Sequence, residues 1–197
     1  MKPAFPSDWN QPDYPAYGTF GWPFRRFGSD HSANSISAQS YISEALKAGF
    51  RHIDTAFAYG NQHDVGTAVR ALQLDRQDVF VTSKLHAYNN SYKEAKRKIV
   101  QAISSIWQCT PPDKGAYLDA FLIHYPGFGR PLDAWRALLE ARASGWIQHA
   151  GVSNFEIWHL EELRNQTGEI PEINQIEFHP CIFPEQQELL AYCKEHG

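Results

Sequence analysis

Four side chains could act together on a carbonyl group: Asp54, Tyr59, Lys84 and His124. A tyrosine phenol has an ordinary pKa of about 10, so it is a weak acid at neutral pH. Lowering that pKa to about 7 requires roughly 4 kcal/mol in favour of the phenolate. A lysine ammonium about 4 Å away supplies roughly this much at an effective dielectric near 20. Asp54 would keep a buried lysine protonated, and a neutral His124 could donate a hydrogen bond to the substrate oxygen. The combination predicts proton donation to an oxygen that becomes negative.

Each of these residues also has a purely structural interpretation. Asp54 and Lys84 could form an ion pair across neighbouring strands without any role in chemistry. Tyr59 lies in an Ala-Tyr-Gly turn and could be a packing residue. His124 could be a hydrogen-bonded core histidine. The joint occurrence of the four, rather than any one of them, favours catalysis.

The elements that must position these side chains alternate between short β-rich runs and amphipathic stretches. Strands are predicted at about 14–20, 51–56, 79–84, 118–124, 149–153 and 173–178. A first helix is predicted over about 37–48, and later helices follow from apolar residues at helical spacing, such as Val65, Ala68, Val69 and Leu72. Three glycines are expected to end helices: Gly49, Gly145 and Gly168.

This alternation predicts an α/β fold with a parallel sheet and helical crossovers. Two layouts compete, an open doubly wound sheet and a closed (β/α) barrel. No GxGxxG fingerprint follows any predicted strand, which weakens the nucleotide-binding open sheet. Polar residues instead follow strand after strand: Asp54, Ser83 with Lys84, His124, Ser153 with Asn154, and Gln175 through Glu177. Barrels build their active sites at this end from several strands, so the barrel is favoured.

Composition bounds the function classes. The 197 residues carry a formal charge of -4 and are 43% hydrophobic, which argues against broad contact with nucleic acid or anionic lipid. We expect a single domain over 1–197 with a proline-rich segment at 1–15. Cys109, Cys181 and Cys193 have no metal-binding spacing and cannot all pair, so a reducing, cytoplasmic setting is expected. No secretory signal or membrane span is predicted.

Five segments resemble a known family. The stretch GFRHIDTAFAYGNQHDVG at 49–66, followed in order by VTSKL, FLIHYP, GVSNF and INQIEFHP, is similar to the signatures of the aldo-keto reductases. The resemblance covers about 17–197. It implies a (β/α)8 barrel of the TIM type and reversible hydride transfer between NADPH (NADP+) and an aldehyde or ketone. It further implies Tyr59 as proton donor, Lys84 and Asp54 as its activating pair, and His124 as the orienting group.

The resemblance also implies which residues hold the cofactor and face the substrate. Those implied near the nicotinamide are Gly18, Thr19, Asp54, Ser153, Asn154 and Gln175. Those implied to line the substrate pocket are Phe20, Ala58, His86, His124 and Tyr125. His86 stands where the family often has tryptophan. Mostly aromatic walls favour an apolar carbonyl compound over a free sugar, and the choice of NADPH over NADH rests on the family alone.

The pattern departs from a complete barrel, which has eight strands and about 250 residues. About six of eight β/α units are predicted, so we expect a chain truncated after the sixth unit, without the last two strands and their phosphate contacts. Open sheet edges could then allow self-association. Arg25 and Arg26, in the segment 21–35, are a speculative substitute phosphate contact.

Two other functions stay open at this point. One is a catalytically impaired, aldo-keto reductase-like binding protein or fragment. The other is a metal-dependent barrel hydrolase. His52 and Asp54 share one face of a predicted strand, as do Glu177 and His179, and histidines with carboxylates at strand ends can bind zinc. No HxH pair occurs, so the reductase is preferred and no metal is expected.

Overall fold

A computed structural model of the protein describes residues 16–20, 37–86, 91–113, 116–127 and 131–196. Two features of the sequence lie outside the described residues. They are the proline-rich segment 1–15 and the segment 21–35 with Arg25 and Arg26.

The described residues form six strands and six helices in strict alternation. The strands are β1 Ala16–Gly18, β2 His52–Asp54, β3 Phe80–Leu85, β4 Leu118–Ile123, β5 Ile147–Ser153 and β6 Ile173–Gln175. The helices are α1 Ala38–Lys47, α2 Gln62–Ala71, α3 Tyr92–Trp107, α4 Pro131–Ala143, α5 Ile157–Thr167 and α6 Phe183–His196.

The strand order decides between the two predicted layouts. The order in the sheet is β1-β2-β3-β4-β5-β6, which is the order along the chain. A doubly wound sheet reverses its order at a switch point, and no reversal occurs among the described strands. The doubly wound alternative is therefore wrong, and the fold is of the (β/α)8 type with six of the eight β/α units. Self-association through β1 and β6, which are outermost in this order, stays a prediction.

The predicted elements agree with the observed ones except at some strand ends. The sixth strand was expected to reach 178 but ends at Gln175. The carbonyl oxygen of Gln175 accepts hydrogen bonds from the backbone N–H of Asn154 and from the Ser153 hydroxyl. Beyond Gln175, Phe178 is exposed and packs against Phe183. The predicted strand was too long because the alternation of apolar residues continues beyond Gln175, where the hydrogen bonding between β5 and β6 stops.

The chain divides into two compact units. The first unit comprises residues within 1–83 and 101–119, and the second comprises residues within 84–100 and 120–197. The division falls inside β3, α3 and β4. The prediction of a single domain over 1–197 stays a prediction.

The first unit has a tight contact between α2 and the end of α3. Gly66 faces Ile106 so closely that a side chain at 66 would overlap the carbonyl group of Ile106. Arg70, one turn further along α2, donates a hydrogen bond of 3.1 Å to the same carbonyl oxygen. The buried residues Val65, Ala68 and Val69 lie on the face predicted from their spacing.

A charged cluster lies at the amino ends of β3 and β4 in the first unit. Arg76 donates to the carboxylate of Asp119 at 2.6 Å and stacks on the ring of Tyr117 at 3.8 Å. The same carboxylate accepts the backbone N–H of Val81 at 2.7 Å. Burial raises the pKa of Asp119, although the guanidinium of Arg76 opposes this. The ion pair therefore joins the amino ends of two strands, and we assign it a role in stability rather than in the candidate site.

Candidate active site

In the first unit, the carboxyl ends of β1 and β2 are level with each other. The strands are parallel, with Gly18 opposite Asp54, and Asp54 is in turn opposite Thr82 of β3. Asp54 is only 7% exposed. The backbone N–H of Thr19 continues the ladder by donating to the carbonyl oxygen of Asp54 at 2.9 Å. The predicted acid is therefore buried at a strand end, beside the predicted cofactor residues of the first strand.

Tyr59 is the last residue of a short 3-10 helix, Phe57–Tyr59, that follows the end of β2. Its N–H donates to the carbonyl oxygen of Ala56 at 3.1 Å, and Gly60 ends the turn in the left-handed conformation, at φ 69°. The half-buried Tyr59 ring contacts the ring of Phe20, with centroids 5.1 Å apart at 57°. Phe20 is 70% exposed. The structure thus brings the predicted proton donor and one predicted substrate-facing residue together. Ala58, the residue before Tyr59 in the turn, is exposed.

Asn61, the residue directly before α2, was not among the site residues predicted from the sequence. Asn61 is buried and forms hydrogen bonds with Thr19 and Thr55. The next residue, Gln62, is also buried and accepts a hydrogen bond of 2.7 Å from the Ser83 hydroxyl. A signal was available, since two adjacent amides follow the predicted tyrosine, but an amide before a helix is ordinarily interpreted as a cap.

In the second unit, Lys84 is the penultimate residue of β3 and is 1% exposed. The next residue, Leu85, accepts the backbone N–H of His124 at 3.2 Å. His124 is half-buried, and its ring stacks on Tyr125 with centroids 5.0 Å apart at 22°. Tyr125 is exposed and His86 is half-buried. His124 is therefore not an enclosed core histidine.

The predicted carboxamide-binding residues form one hydrogen-bonded group in the second unit. Ser153 lies opposite Gln175 in the parallel register of β5 and β6, and its hydroxyl donates to the carbonyl oxygen of Gln175 at 2.9 Å. The amide of Asn154 donates at 3.0 Å both to the carbonyl oxygen of His124 and to the Ser153 hydroxyl. Asn154 has a φ of 62°, a left-handed conformation that asparagine tolerates better than most residues.

Ser153 and Asn154 do not cap the following helix, because the N-cap of α5 is Glu156. Glu156 forms a capping box with His159, whose Nδ1 accepts the Glu156 N–H at 3.1 Å. Burial lowers the pKa of His159, although nearby Glu156 and Glu162 act in the opposite direction. The lowered pKa favours the neutral ring, which is the form that can accept this hydrogen bond.

The histidines considered for a metal site form hydrogen bonds within the protein. His52 shares a 2.8 Å hydrogen bond with the hydroxyl of Thr82, and His179 lies 2.8 Å from the carboxylate of Glu177. Within the described ranges, no group of three or more His, Cys, Asp or Glu side chains is arranged to hold a metal ion.

Comparison with known proteins adds the family. Residues 17–197 match the aldo/keto reductase family. The chain belongs to this family.

Several aldo/keto reductases are similar over most of this chain. Glyoxal reductase of Bacillus subtilis (strain 168) is 36% identical over 164 residues, which are 83% of this chain and 56% of that protein. Methylglyoxal reductase DkgA of Escherichia coli (strain K12) is 34% identical over 157 residues, which are 79% and 53%. An aldo-keto reductase of Bombyx mori, solved in complex with NADP, has a TM-score of 0.75 at 27% identity over 92% of this chain and 59% of that one. The chain spans about half the length of the curated relatives it matches.

None of the helices in the part of the chain that the structure describes is both long enough and apolar enough to cross a membrane.

Proposed function

We propose that the protein is an NADPH-dependent reductase of small aldehydes or ketones. Membership of the aldo/keto reductase family supports the reaction class. The observation that carries the proposal is the burial of two opposite charges at strand ends, Lys84 at 1% and Asp54 at 7% exposure. Charged side chains are rarely buried to this extent unless their charge is compensated or used.

In the proposed reaction the chain supplies the proton. Tyr59 donates it to the substrate oxygen, Lys84 lowers the pKa of the Tyr59 phenol, and Asp54 keeps Lys84 protonated. His124 donates a hydrogen bond that orients the carbonyl and polarises it. Tyr59 and His124 are both half-buried, which supports these roles because both must reach a small molecule from solvent.

The residues of the second unit fit the cofactor that the family implies. A nicotinamide carboxamide has both a hydrogen-bond donor and an acceptor, and the group of Ser153, Asn154 and Gln175 offers hydroxyl and amide groups that can do both. When bound, NADPH supplies the hydride. In the first unit, Gly18 and Thr19 would contribute to cofactor binding from the end of β1. The Thr19 hydroxyl is already engaged there, because it donates a hydrogen bond to Asn61.

For the substrate we propose a small α-oxoaldehyde or an apolar carbonyl compound. The similar proteins named as glyoxal and methylglyoxal reductases support the first. The exposed rings of Phe20 in the first unit and Tyr125 in the second support an apolar substrate. The three cysteines are free thiols, which supports a reducing, cytoplasmic setting.

Two measurements on the purified chain test the proposal. NADPH is titrated while tryptophan fluorescence is followed, since six tryptophans give a strong signal. NADPH oxidation is then followed with methylglyoxal, an aromatic aldehyde and an aldose. We expect saturable quenching and turnover of the first two substrates.

The Tyr59→Phe variant is the matched control, since it keeps the ring and removes the hydroxyl group that would donate the proton. We expect it to bind NADPH as the wild type does and to lose turnover by a factor of about 10² to 10⁴. Absence of quenching would refute the reductase and favour a protein that keeps the family's residues without binding nucleotide. Turnover of the aldose alone would refute the apolar substrate class.

A further inference from the structure

Asn61 lies at the N-cap of α2, yet its side chain does not cap the helix. An asparagine in this position ordinarily accepts a backbone N–H of the first turn, which stabilises a helix by about 1 kcal/mol. Here the side chain is turned inward, and the residue is 5% exposed. Its carboxamide therefore serves something other than the helix start.

The carboxamide joins the ends of β1 and β2. Its oxygen accepts the hydroxyl of Thr55 at 2.9 Å and the hydroxyl of Thr19 at 3.2 Å, and its nitrogen donates to the carbonyl oxygen of Thr19 at 2.9 Å. Thr19 and Thr55 are both fully buried. In such a setting a hydrogen bond is stronger than in water, and losing one partner leaves the other unsatisfied.

These bonds enclose the segment that carries Tyr59. Thr55 and Asn61 flank the five residues 56–60, so their hydrogen bond closes the loop that contains the tyrosine. Thr19 precedes Phe20, whose ring contacts the Tyr59 ring at 5.1 Å. One amide thus fixes both ends of the Tyr59 loop and the strand end that presents the neighbouring aromatic ring.

We propose that Asn61 is a positioning residue for Tyr59. It holds the phenol through the loop closure at Thr55 and through the Thr19–Phe20 strand end, without itself touching the substrate. The inference rests on the proposed function for its effect on turnover. Its effect on the tyrosine is structural and can be measured independently.

The variants separate positioning from general loosening. Asn61→Ala removes all three hydrogen bonds, and Asn61→Asp keeps the acceptor for both threonine hydroxyls but loses the donor to the Thr19 carbonyl. Thr55→Val removes only the loop closure at nearly constant shape, and it serves if Asn61→Ala does not fold. Val69→Ala, on the buried face of α2, is the control for lost packing in the same helix.

The direct readout is the fluorine NMR signal of 3-fluorotyrosine incorporated at position 59. In Asn61→Ala we expect this signal to broaden or split, with a smaller change in Asn61→Asp and Thr55→Val and none in Val69→Ala. In turnover we expect kcat to fall roughly a hundredfold in Asn61→Ala, because small misplacements of a reacting group are costly. KM for the carbonyl substrate should change much less.

The outcomes distinguish the two proposals. An unchanged fluorine signal in Asn61→Ala, or the same change in Val69→Ala, overturns the positioning role. A wild-type chain that does not oxidise NADPH overturns the proposed function, and the fluorine spectra then decide alone whether Asn61 holds Tyr59.

Discussion

At the scale of single residues, each of the two units has a buried charge and an exposed aromatic ring among its candidate residues. Lys84 and Asp54 are almost fully buried, whereas Phe20 and Tyr125 are open to solvent. Burying a charge costs several kcal/mol unless another charge or a set of hydrogen bonds compensates it. Such residues are typical of sites where a charge shifts the pKa of a neighbour. The proposed role of Lys84 can therefore be tested through pH.

Lys84→Met should change the pH dependence of carbonyl reduction. Only the protonated phenol donates, so wild-type kcat falls as pH rises through the pKa of Tyr59. Without the lysine charge this pKa returns toward about 10, so the fall moves to higher pH. The plateau below it should drop by a factor of about 10² to 10⁴, because a weaker acid transfers its proton less readily. The pH profile of kcat at saturating substrate measures both effects.

The matched control is Lys47→Met, which removes a lysine from an exposed surface pair with Glu44. Its profile should coincide with that of the wild type. A Lys84→Met variant that loses activity while its kcat still falls at the wild-type pH would contradict the proposed electrostatic role. Such a result would favour a structural role.

Asn154 offers a second test, in which backbone and side-chain roles separate. Its φ of 62° suits glycine but strains alanine, by on the order of 1 kcal/mol. We expect Asn154→Gly and Asn154→Ala to weaken NADPH binding similarly, because both lack the amide. In urea unfolding, Asn154→Ala should be the less stable of the two. Unchanged NADPH affinity in Asn154→Gly would show that the side chain does not hold the cofactor.

At the scale of elements, the start of α2 is tied to the sheet by side chains rather than by a helix cap. Asn61 bonds to Thr19 and Thr55, and Gln62 accepts from Ser83, the residue before Lys84 in sequence. Further along, α2 lies against the end of α3 at Gly66. The position of α2 therefore depends on two contacts, one polar and one requiring a glycine.

Gly66→Ala tests the second contact. In an exposed helix interior this substitution stabilises by roughly 0.5 to 1 kcal/mol. Here the added methyl group would overlap the carbonyl group of Ile106, so the sign should reverse. We expect a loss of about 1 to 3 kcal/mol, which is typical of overpacking. The free energy of unfolding in urea measures it, with His63→Ala at an exposed position of α2 as control. A stabilised Gly66→Ala variant would mean that the two helices can move apart at no cost.

At the scale of the whole molecule, the fold class follows from local patterns that the sequence displays directly. Strand and helix periods alternate, and polar residues such as Asp54 and Lys84 end apolar runs. The role of Asn61 could not be predicted, because the preference of asparagine for N-caps is local and its actual partners lie up to 42 residues away. The end of β6 was misplaced for a related reason. Ile176 and Phe178 keep the alternation of a strand, but only pairing with a neighbour shows where the ladder stops.

The stability of the whole chain in acid should depend on Glu172, in the loop before β6. Burial raises the pKa of this carboxyl, but hydrogen bonds from His149 and Arg142 and from the Ala150 N–H outweigh it and lower the pKa from 4.5 to about 2. A lowered pKa means that the stabilisation is fully present above 4.5 and is lost as pH falls toward 2. Glu172→Gln should therefore cost on the order of 1 kcal/mol at neutral pH, since the group is partly exposed.

The same substitution should cost progressively less below pH 4.5, so the stabilities of wild type and variant converge in acid. Urea unfolding between neutral pH and pH 3 measures this convergence. Glu44→Gln, which removes an exposed carboxylate from a surface pair, is the control and should give a small difference at every pH. A Glu172→Gln variant whose deficit does not shrink in acid would show that the loss comes from packing rather than from the charge. The network of Arg142, His149 and Glu172 would then not be what makes stability fall with pH.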